Sequence, residues 1–300
     1  MISRGVLVLA GPTASGKTAL ALELAERFDA EIVGADSRQI YRGMPIGTAA
    51  PSAEERARVR HHLVEFLDPS ERYSAARFTE DALDAIEEIT RRGRRALVVG
   101  GTGFYLRALC GDVALSPAYD PALRERLARE ARLHSSETLH AWLAARDPAR
   151  AAAIAPTDPY RIVRALEIAL TREIFPGATN APRRSLRTLA IPTLKIAIDA
   201  ADVVLDERIA ARVDQMLAAG FVDEAERVGA EAVASDAVGY PQALAYARGF
   251  LSWNELRTLL IRGTKRYAKR QRTWFRGEPE MRWVAPDDAA HAAATLPGWS

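Results

Sequence analysis

Val6-Leu7-Val8-Leu9-Ala10 runs directly into Gly11-Pro12-Thr13-Ala14-Ser15-Gly16-Lys17-Thr18, and Ala19-Leu20-Ala21-Leu22-Glu23-Leu24-Ala25 follows. An apolar strand, a glycine loop closing on Gly-Lys-Thr and an amphipathic helical pattern make up a P-loop in its full context. The glycines let backbone N–H groups converge on a phosphate oxyanion with no Cβ in the way. Lys17 adds a point charge, the helix N-terminus adds its dipole, and the Thr18 hydroxyl can ligate Mg²⁺. The segment predicts phosphate binding but does not say whose phosphate is bound.

Working outward, a second apolar run, Glu31-Ile32-Val33-Gly34-Ala35, ends at Asp36-Ser37. A third, Arg95-Ala96-Leu97-Val98-Val99, ends at Gly100-Gly101-Thr102-Gly103. Between them Ser74 reads as the N-cap of a helix that stops at Gly93. Strand runs alternating with helical patterns predict an α/β fold, a P-loop NTPase-like doubly wound parallel sheet. Ligands in such sheets sit beyond the carboxyl ends of the strands. The P-loop, Asp36 and Thr102 are therefore expected to share one cleft.

The texture then changes. Residues 1–112 read as the first part of the P-loop core, and 113–187 as a helical insertion with helices at Pro121–Leu133 and Tyr160–Leu170. Residues 188–283 return to the core through the strand Leu194-Lys195-Ile196-Ala197-Ile198 and a helix Val203–Ala219 closed by Gly220. Ala-rich residues 284–300, with scattered Pro and Asp, are expected to form a loosely attached tail.

Bulk properties narrow the function classes. Hydrophobic residues make up 48% and charged residues 27% of the 300, which describes an ordinary globular chain. A formal net charge of +2 gives no global attraction to polyanions, so any nucleic-acid surface must be local. Cys110, the only cysteine, has no disulfide partner, which fits a reducing cytoplasm. No apolar run approaches the roughly 20 residues of a membrane helix. The first strand starts within a few residues of Met1, so no signal peptide is expected.

Several constellations carry chemistry. The strand Arg95–Val99 ends in Gly-Gly-Thr rather than in a Walker-B acid, and the strand-end acid is Asp36. Asp36 suits a helix cap, or a general base or metal-associated acid facing the P-loop ligand. The amide and hydroxyl groups of Asp36-Ser37-Arg38-Gln39-Ile40-Tyr41 suit a base edge better than a phosphate. Arg208 and Arg212, at i and i+4, share one helix face and read either as a solvated pair or as an anion clamp. From Arg262 to Arg276 no acid interrupts a basic run. At 100° per residue Arg262, Lys265, Lys269, Arg272 and Arg276 form one stripe flanked by Arg266 and Arg270, with Tyr267, Trp274 and Phe275 opposite. A docked aromatic side would hold the stripe as a rail for a nucleic-acid backbone. His61-His62 reads as packing ahead of a strand Leu63-Val64-Glu65-Phe66, and Trp142 and Trp253 read as core residues.

Taken together, several blocks resemble the bacterial tRNA dimethylallyltransferases (tRNA isopentenyltransferases). They are Gly11–Thr18, Asp36-Ser37-Arg38-Gln39-Ile40-Tyr41-Arg42-Gly43-Met44, Ile46-Gly47-Thr48-Ala49 and Val99-Gly100-Gly101-Thr102-Gly103. Asp158-Pro159-Tyr160-Arg161 with Arg164-Ala165-Leu166-Glu167, Gly239-Tyr240, and Lys269-Arg270-Gln271 with Trp274 continue the series in family order, from about Val6 to Arg276. The resemblance implies transfer of a dimethylallyl group from dimethylallyl diphosphate to N6 of the adenosine 3′ to the tRNA anticodon. It implies that the P-loop holds the donor's diphosphate, that Asp36 is the base, and that Lys17, Thr18 and Thr102 assist, with Mg²⁺ on Thr18 and Arg212 gripping diphosphate. The implied tRNA contacts are Asp36, Ser37, Arg38, Gln39, Thr102, Arg124, Tyr160, Arg161, Ile162, Val163, Arg164, Gly239, Tyr240, Lys269, Arg270, Arg272, Trp274 and Arg276. The expected partners are the tRNA anticodon stem-loop and dimethylallyl diphosphate, with no membrane, for a monomeric cytoplasmic enzyme.

Pro45, Ala50 and Pro241 stand where the family usually has Asp, Lys and a polar residue. An adenylate isopentenyltransferase, a small-molecule P-loop kinase and a non-catalytic RNA-binding protein remain rival readings. The first of these shares the P-loop and the acid but has no need of a helical insertion or a basic rail.

Overall fold

The computed structural model describes residues 4–113, 120–174 and 184–300. Six strands form one all-parallel sheet: β1 Val6–Ala10, β2 Ala30–Gly34, β3 His61–His62, β4 Arg95–Gly100, β5 Thr193–Ala197 and β6 Met281–Trp283. Their order is β3-β2-β4-β1-β5-β6, so β1 lies between β4 and β5. Every residue of β1 and β2 is buried, as parallel strands covered on both faces require. The chain divides into two compact units, residues 1–113 with 184–300, and residues 114–183.

In the larger unit the P-loop helix Lys17–Arg27 packs Leu20, Leu24 and Ala25 on the sheet against Leu7, Leu9, Leu97 and Ile196. The helix Ala75–Arg91 starts where Ser74 accepts from the Arg77 N–H, and its chain leaves through Gly93 at φ 77°. A second core gathers Ile40, Met44, Phe221, Tyr240 and Leu260 around the helix Asp202–Ala218. The basic helix Trp253–Arg276 is longer than the charge run, because a Ser252/Glu255 capping box starts it nine residues before Arg262. No helix among the described residues is long and apolar enough to cross a membrane.

The smaller unit is helical. Asp120, Ser135 and Asp147 cap the helices Pro121–Leu133, Ser136–Arg146 and Pro148–Ala152 through their side chains. These close with Pro159–Ile174 over a core of Leu123, Leu127, Leu139, Leu143, Ile162 and Leu166.

Three expectations need correction. Residues 284–300 are not a loose tail: Val284 N–H donates to Ala197 O, the helix Ala289–Ala294 buries Ala289 and Ala293, and Trp299 is 0% exposed. Trp299 Nε1 donates to Gly5 O at 2.8 Å, and its ring lies 5.5 Å from that of Phe28. Small alanines let that helix approach the sheet closely, so an Ala-rich stretch that reads as weakly apolar still buries well. The strand expected at Leu63–Phe66 is displaced to His61–His62, because Leu63 and Glu65 both take positive φ. Trp253 is 46% exposed at the start of its helix, edge-on to Tyr246, rather than in the core.

Candidate active site

The C-terminal ends of β1, β2 and β4 open into a cleft of ≈ 720 Å³ lined by the P-loop, Asp36 to Gln39, Gly100 and Gly101, Arg208, Arg212, Tyr267 and Gln271. Gly16, at φ 93°, takes the left-handed conformation that turns the loop into the helix, so the amides of the first helical turn face the cleft with no intrahelical partner. Ala14, a non-glycine residue at φ 64°, adds backbone strain in the same loop. Ser15 Oγ is buried with no hydrogen-bond partner. An orphaned hydroxyl beside open amides is the chemistry of a cradle built for an anion.

Two cations face the cradle. Lys17 Nζ donates to Pro12 O at 3.2 Å, and burial pulls its ammonium down to about 8, with Asp36 opposing the shift and Arg212 adding to it. Arg212 donates to Thr13 Oγ1 at 3.2 Å, and burial lowers its guanidinium against the pull of Asp36. Arg208 stays exposed and reaches only Ala14 O, at 3.4 Å. The helix face that the i, i+4 spacing predicted therefore does border the loop, with Arg212 as its inner member.

Asp36 sits just past β2. Its Oδ1 accepts from Arg38 N at 2.9 Å and, more weakly, from Gln39 N at 3.4 Å, and this Asx turn fixes the carboxylate. Thr102 Oγ1 accepts from Ser37 N at 2.9 Å, tying the end of β4 to the end of β2. Arg38 pairs with Asp236 at 2.7 Å. Gln39 Nε2 donates to the carbonyls of Thr48 and Ala49 at 3.2 and 2.9 Å, so that amide is already engaged in capping the end of the short helix Pro45–Thr48. Among the described residues no group of three or more His, Cys, Asp or Glu is gathered to hold a metal ion. Thr18 is exposed along the cleft, which fits a Mg²⁺ shared with substrate phosphates rather than one caged by protein.

The basic helix docks as expected on Phe275 (1% exposed), with half-buried Trp274 beneath the Arg107 guanidinium at 4.6 Å. A Cβ on Gly103 would meet Trp274 Nε1 at 2.1 Å, so glycine there is what lets the helix sit down. Tyr267 lines the cleft, where burial and Asp36 both raise its phenol. Arg262, Arg266, Lys269, Arg270 and Arg276 are exposed.

Arg272 departs from the stripe. It is 16% exposed on its side chain and pairs with Asp199 at 2.8 Å and with Asp202. Lys265 pairs with Asp206 at 2.7 Å. The acids on and before Asp202–Ala218 neutralise two members of the stripe, which a run of positive charge alone cannot reveal.

Two other implied tRNA contacts are buried side chains. Ile162 lies at 0% exposure in the helical core, because its position on Pro159–Ile174 faces inward. Tyr240, also 0% exposed, donates its hydroxyl to Glu224 Oε1 at 2.7 Å. Gly239 turns the chain into that helix at φ 101°, and half-buried Val163 packs on the helical core. Tyr160 is 80% exposed, and Arg161 is exposed beside its Asp158 partner at 2.8 Å. Arg164 and Arg124 flank buried Glu167 at 2.7 and 3.9 Å. Pro45 and Pro241 both fall in the first turn of short helices, where a missing N–H costs nothing.

With this geometry in view, residues 39–278 match the model of the IPP transferase family. The chain belongs to that family. A tRNA dimethylallyltransferase of Trichlorobacter lovleyi is 43% identical over 297 residues, covering 96% of this chain and 97% of the relative. The solved full-length tRNA isopentenylpyrophosphate transferase of Bacillus halodurans shares 37% identity at a TM-score of 0.67, covering 94% and 90% of the two chains. A eukaryotic dimethylallyltransferase, solved acting on tRNA, shares 25% identity at a TM-score of 0.74, over 96% of this chain and 75% of its own.

Sequence reasoning missed two buried polar groups that shape this IPP transferase cleft. Glu224, 0% exposed, accepts from Ile46 N at 2.9 Å and Gly47 N at 2.8 Å as well as from Tyr240, fixing the first turn of the short helix Pro45–Thr48. Gln271, 6% exposed, accepts from Thr13 N and donates to Gly101 O. Neither leaves a local signature: the partners lie 177 and 258 residues away.

Proposed function

We propose that this protein transfers a dimethylallyl group from dimethylallyl diphosphate to N6 of the adenosine 3′-adjacent to the anticodon in tRNA. The observation that carries the reading is the pairing of a P-loop flanked by two half-buried cations, Lys17 and Arg212, with a fixed carboxylate, Asp36, at the neighbouring strand end. The relatives' names supply the donor and acceptor classes, and membership of the IPP transferase family supports group transfer.

The residues divide the work as the chemistry demands. The loop amides, Lys17 and Arg212 hold the diphosphate and stabilise the charge that builds on it as the allylic C1–O bond breaks. N6 of the flipped-out adenine supplies the electron pair for the new N6–C1 bond, and Asp36 accepts the proton it releases. Thr102, whose hydroxyl accepts from Ser37 N, fixes the Asp36 turn from the adjacent strand end. Thr18 is the residue that would hold a Mg²⁺, whose chemistry there would be further charge neutralisation. Diphosphate leaves with the C–O electron pair, so no phosphoryl group moves and no Walker-B acid is called for.

Exposed Lys269, Arg270, Arg276 and Arg266 on the larger unit, and Tyr160 and Arg161 on the helical unit, suit a polyanion with unstacked bases. The test is to incubate the protein with Mg²⁺, radiolabelled dimethylallyl diphosphate and one acceptor at a time: unmodified tRNA, AMP or ATP. Label in tRNA, mapped to the nucleotide after the anticodon, is expected. Label in AMP or ATP, or ATP hydrolysis without prenyl transfer, would overturn the reading.

A further inference from the structure

The basic helix bears on more than RNA. Gln271 is buried in it, and its single side-chain amide spans two loops of the cleft. Oε1 accepts from Thr13 N, in the P-loop, at 2.8 Å, and Nε2 donates to Gly101 O, just past β4, at 2.9 Å. The fit is close: a Cβ on Gly101 would stand 2.2 Å from Nε2, so the loop accepts the amide only because residue 101 is glycine.

Each end of this bridge continues into the chemistry. Thr13 carries Arg212 on its hydroxyl, at 3.2 Å. Gly101 is followed by Thr102, whose hydroxyl accepts from Ser37 N, the residue after Asp36. One amide thus links the group that would grip the diphosphate to the segment that carries the carboxylate. Arg272, the next residue, pins the same helix to Asp199 and Ala200 beyond β5.

We propose that Gln271 is a positioning residue that sets the distance between the diphosphate cradle and Asp36, and so between donor carbon, acceptor amine and base. This rests on the transfer reading above. It goes beyond that reading in assigning to the helix a role in aligning the two reactants, separate from holding RNA. The physical ground is that oriented transfer is steep in distance: a misplacement of about 1 Å can cost roughly 10²-fold in rate. A glutamine is suited to the task because one planar group donates and accepts at once. Methionine fills the same space with neither hydrogen bond, and glutamate keeps the acceptor but, when ionised, cannot donate to Gly101 O.

The experiment measures three quantities for the wild type, Gln271→Met and Gln271→Glu. They are the single-turnover rate of prenyl transfer with both substrates saturating, the Kd for inorganic diphosphate with Mg²⁺, and the Kd for an anticodon stem-loop RNA. Both variants are expected to lose about 30- to 100-fold in single-turnover rate while each Kd moves less than about threefold. A rate within threefold of wild type in either folded variant overturns the proposal. So does a rate loss matched by equal losses in diphosphate and RNA affinity, the pattern of a helix that has come off the core. If Gln271→Met does not fold, Gln271→Glu, which keeps the bond from Thr13, decides the matter. Failure of the wild type to transfer would sink the functional reading instead, so the two failures are distinguishable.

Discussion

The Lys17 ammonium gives a pH dependence that can be worked out from the structure. In the ligand-free cleft burial holds it at about 8, against an ordinary lysine value of about 10.4. An anion in the cradle supplies the opposite charge that the site lacks, so binding favours the protonated form and raises its pKa. If only protonated Lys17 grips diphosphate, affinity tracks the protonated fraction of the free protein. That fraction falls from roughly three quarters at pH 7.5 to about 3% at pH 9.5, a loss of about 25-fold, or about 1.9 kcal/mol. Arg212 stays charged across this range, since a guanidinium does not deprotonate in proteins. The ligand for the assay is a non-reactive alkyl diphosphate, because second phosphate ionisations lie near about 6 and its own charge is then settled. Calorimetry at fixed Mg²⁺ and ionic strength should show the affinity loss, with proton uptake on binding that peaks above pH 8. Lys17→Gln should bind weakly with no such slope. Flat wild-type affinity between pH 7.5 and 9.5, or the same slope in Lys17→Gln, would refute the assignment. Without ligand the linkage runs the other way: the unfolded chain binds the extra proton between about pH 8 and 10.4, so this group makes the free protein more stable as pH rises through that window.

Other expected outcomes concern separate parts of the molecule. Asp36→Asn keeps the size of the side chain and removes its basicity; kcat for prenyl transfer should fall about 10²–10⁴-fold with diphosphate affinity little changed, and near wild-type turnover would end the base assignment. Lys269→Gln with Arg266→Gln, both exposed and outside the cleft lining, should weaken tRNA binding and flatten its salt dependence by a slope of roughly 0.7–0.9 per lost phosphate contact, leaving diphosphate affinity intact; an unchanged slope would make the stripe an ordinary solvated face. Trp299→Ala, which empties a fully buried site and removes the bond to Gly5 O, should cost about 3–5 kcal/mol in denaturant unfolding, and a loss below 1 kcal/mol would restore the loose tail.

How far the sequence could be read follows from the range of each signal. β1, the loop and the helix Lys17–Arg27 are coded within one short segment, and their periodicities survive intact. Asp36 and Thr102 were legible because strand ends in a parallel sheet converge by topology, whatever the side chains do. For Tyr240 and Ile162 the motif gives the residue but not which way its side chain faces; both side chains are buried. Residues 284–300 misled because alanine contributes little apolar area by itself yet packs closely when the sheet is already in place. Glu224 went unread, Gln271 entered only as part of a motif and Arg272 only as part of the basic stripe, since what they do is defined by partners 177, 170 and 73 residues away.

Arg272 also qualifies the absence of a Walker-B acid. β1 has two neighbours, and although β4 ends in Gly100-Gly101, the chain past β5 reaches Asp199. An acid therefore does stand at a strand end beside the P-loop strand, where a phosphoryl-transfer enzyme would use one to hold Mg²⁺. Here the Arg272 guanidinium donates to its Oδ1 at 2.9 Å and to the carbonyl of Ala200, and lies 2.8 Å from its Oδ2 as an ion pair. A carboxylate already paired with a guanidinium is a poorer ligand for a metal ion than a free one. The same contact removes one cation from the basic stripe and fixes the helix whose next residue inward is Gln271. On the transfer reading proposed above, the loop and sheet of a phosphoryl-transfer site would serve an allylic diphosphate, with the difference at the neighbouring strand end. In this chain that place is taken by an ion pair that holds the helix in register.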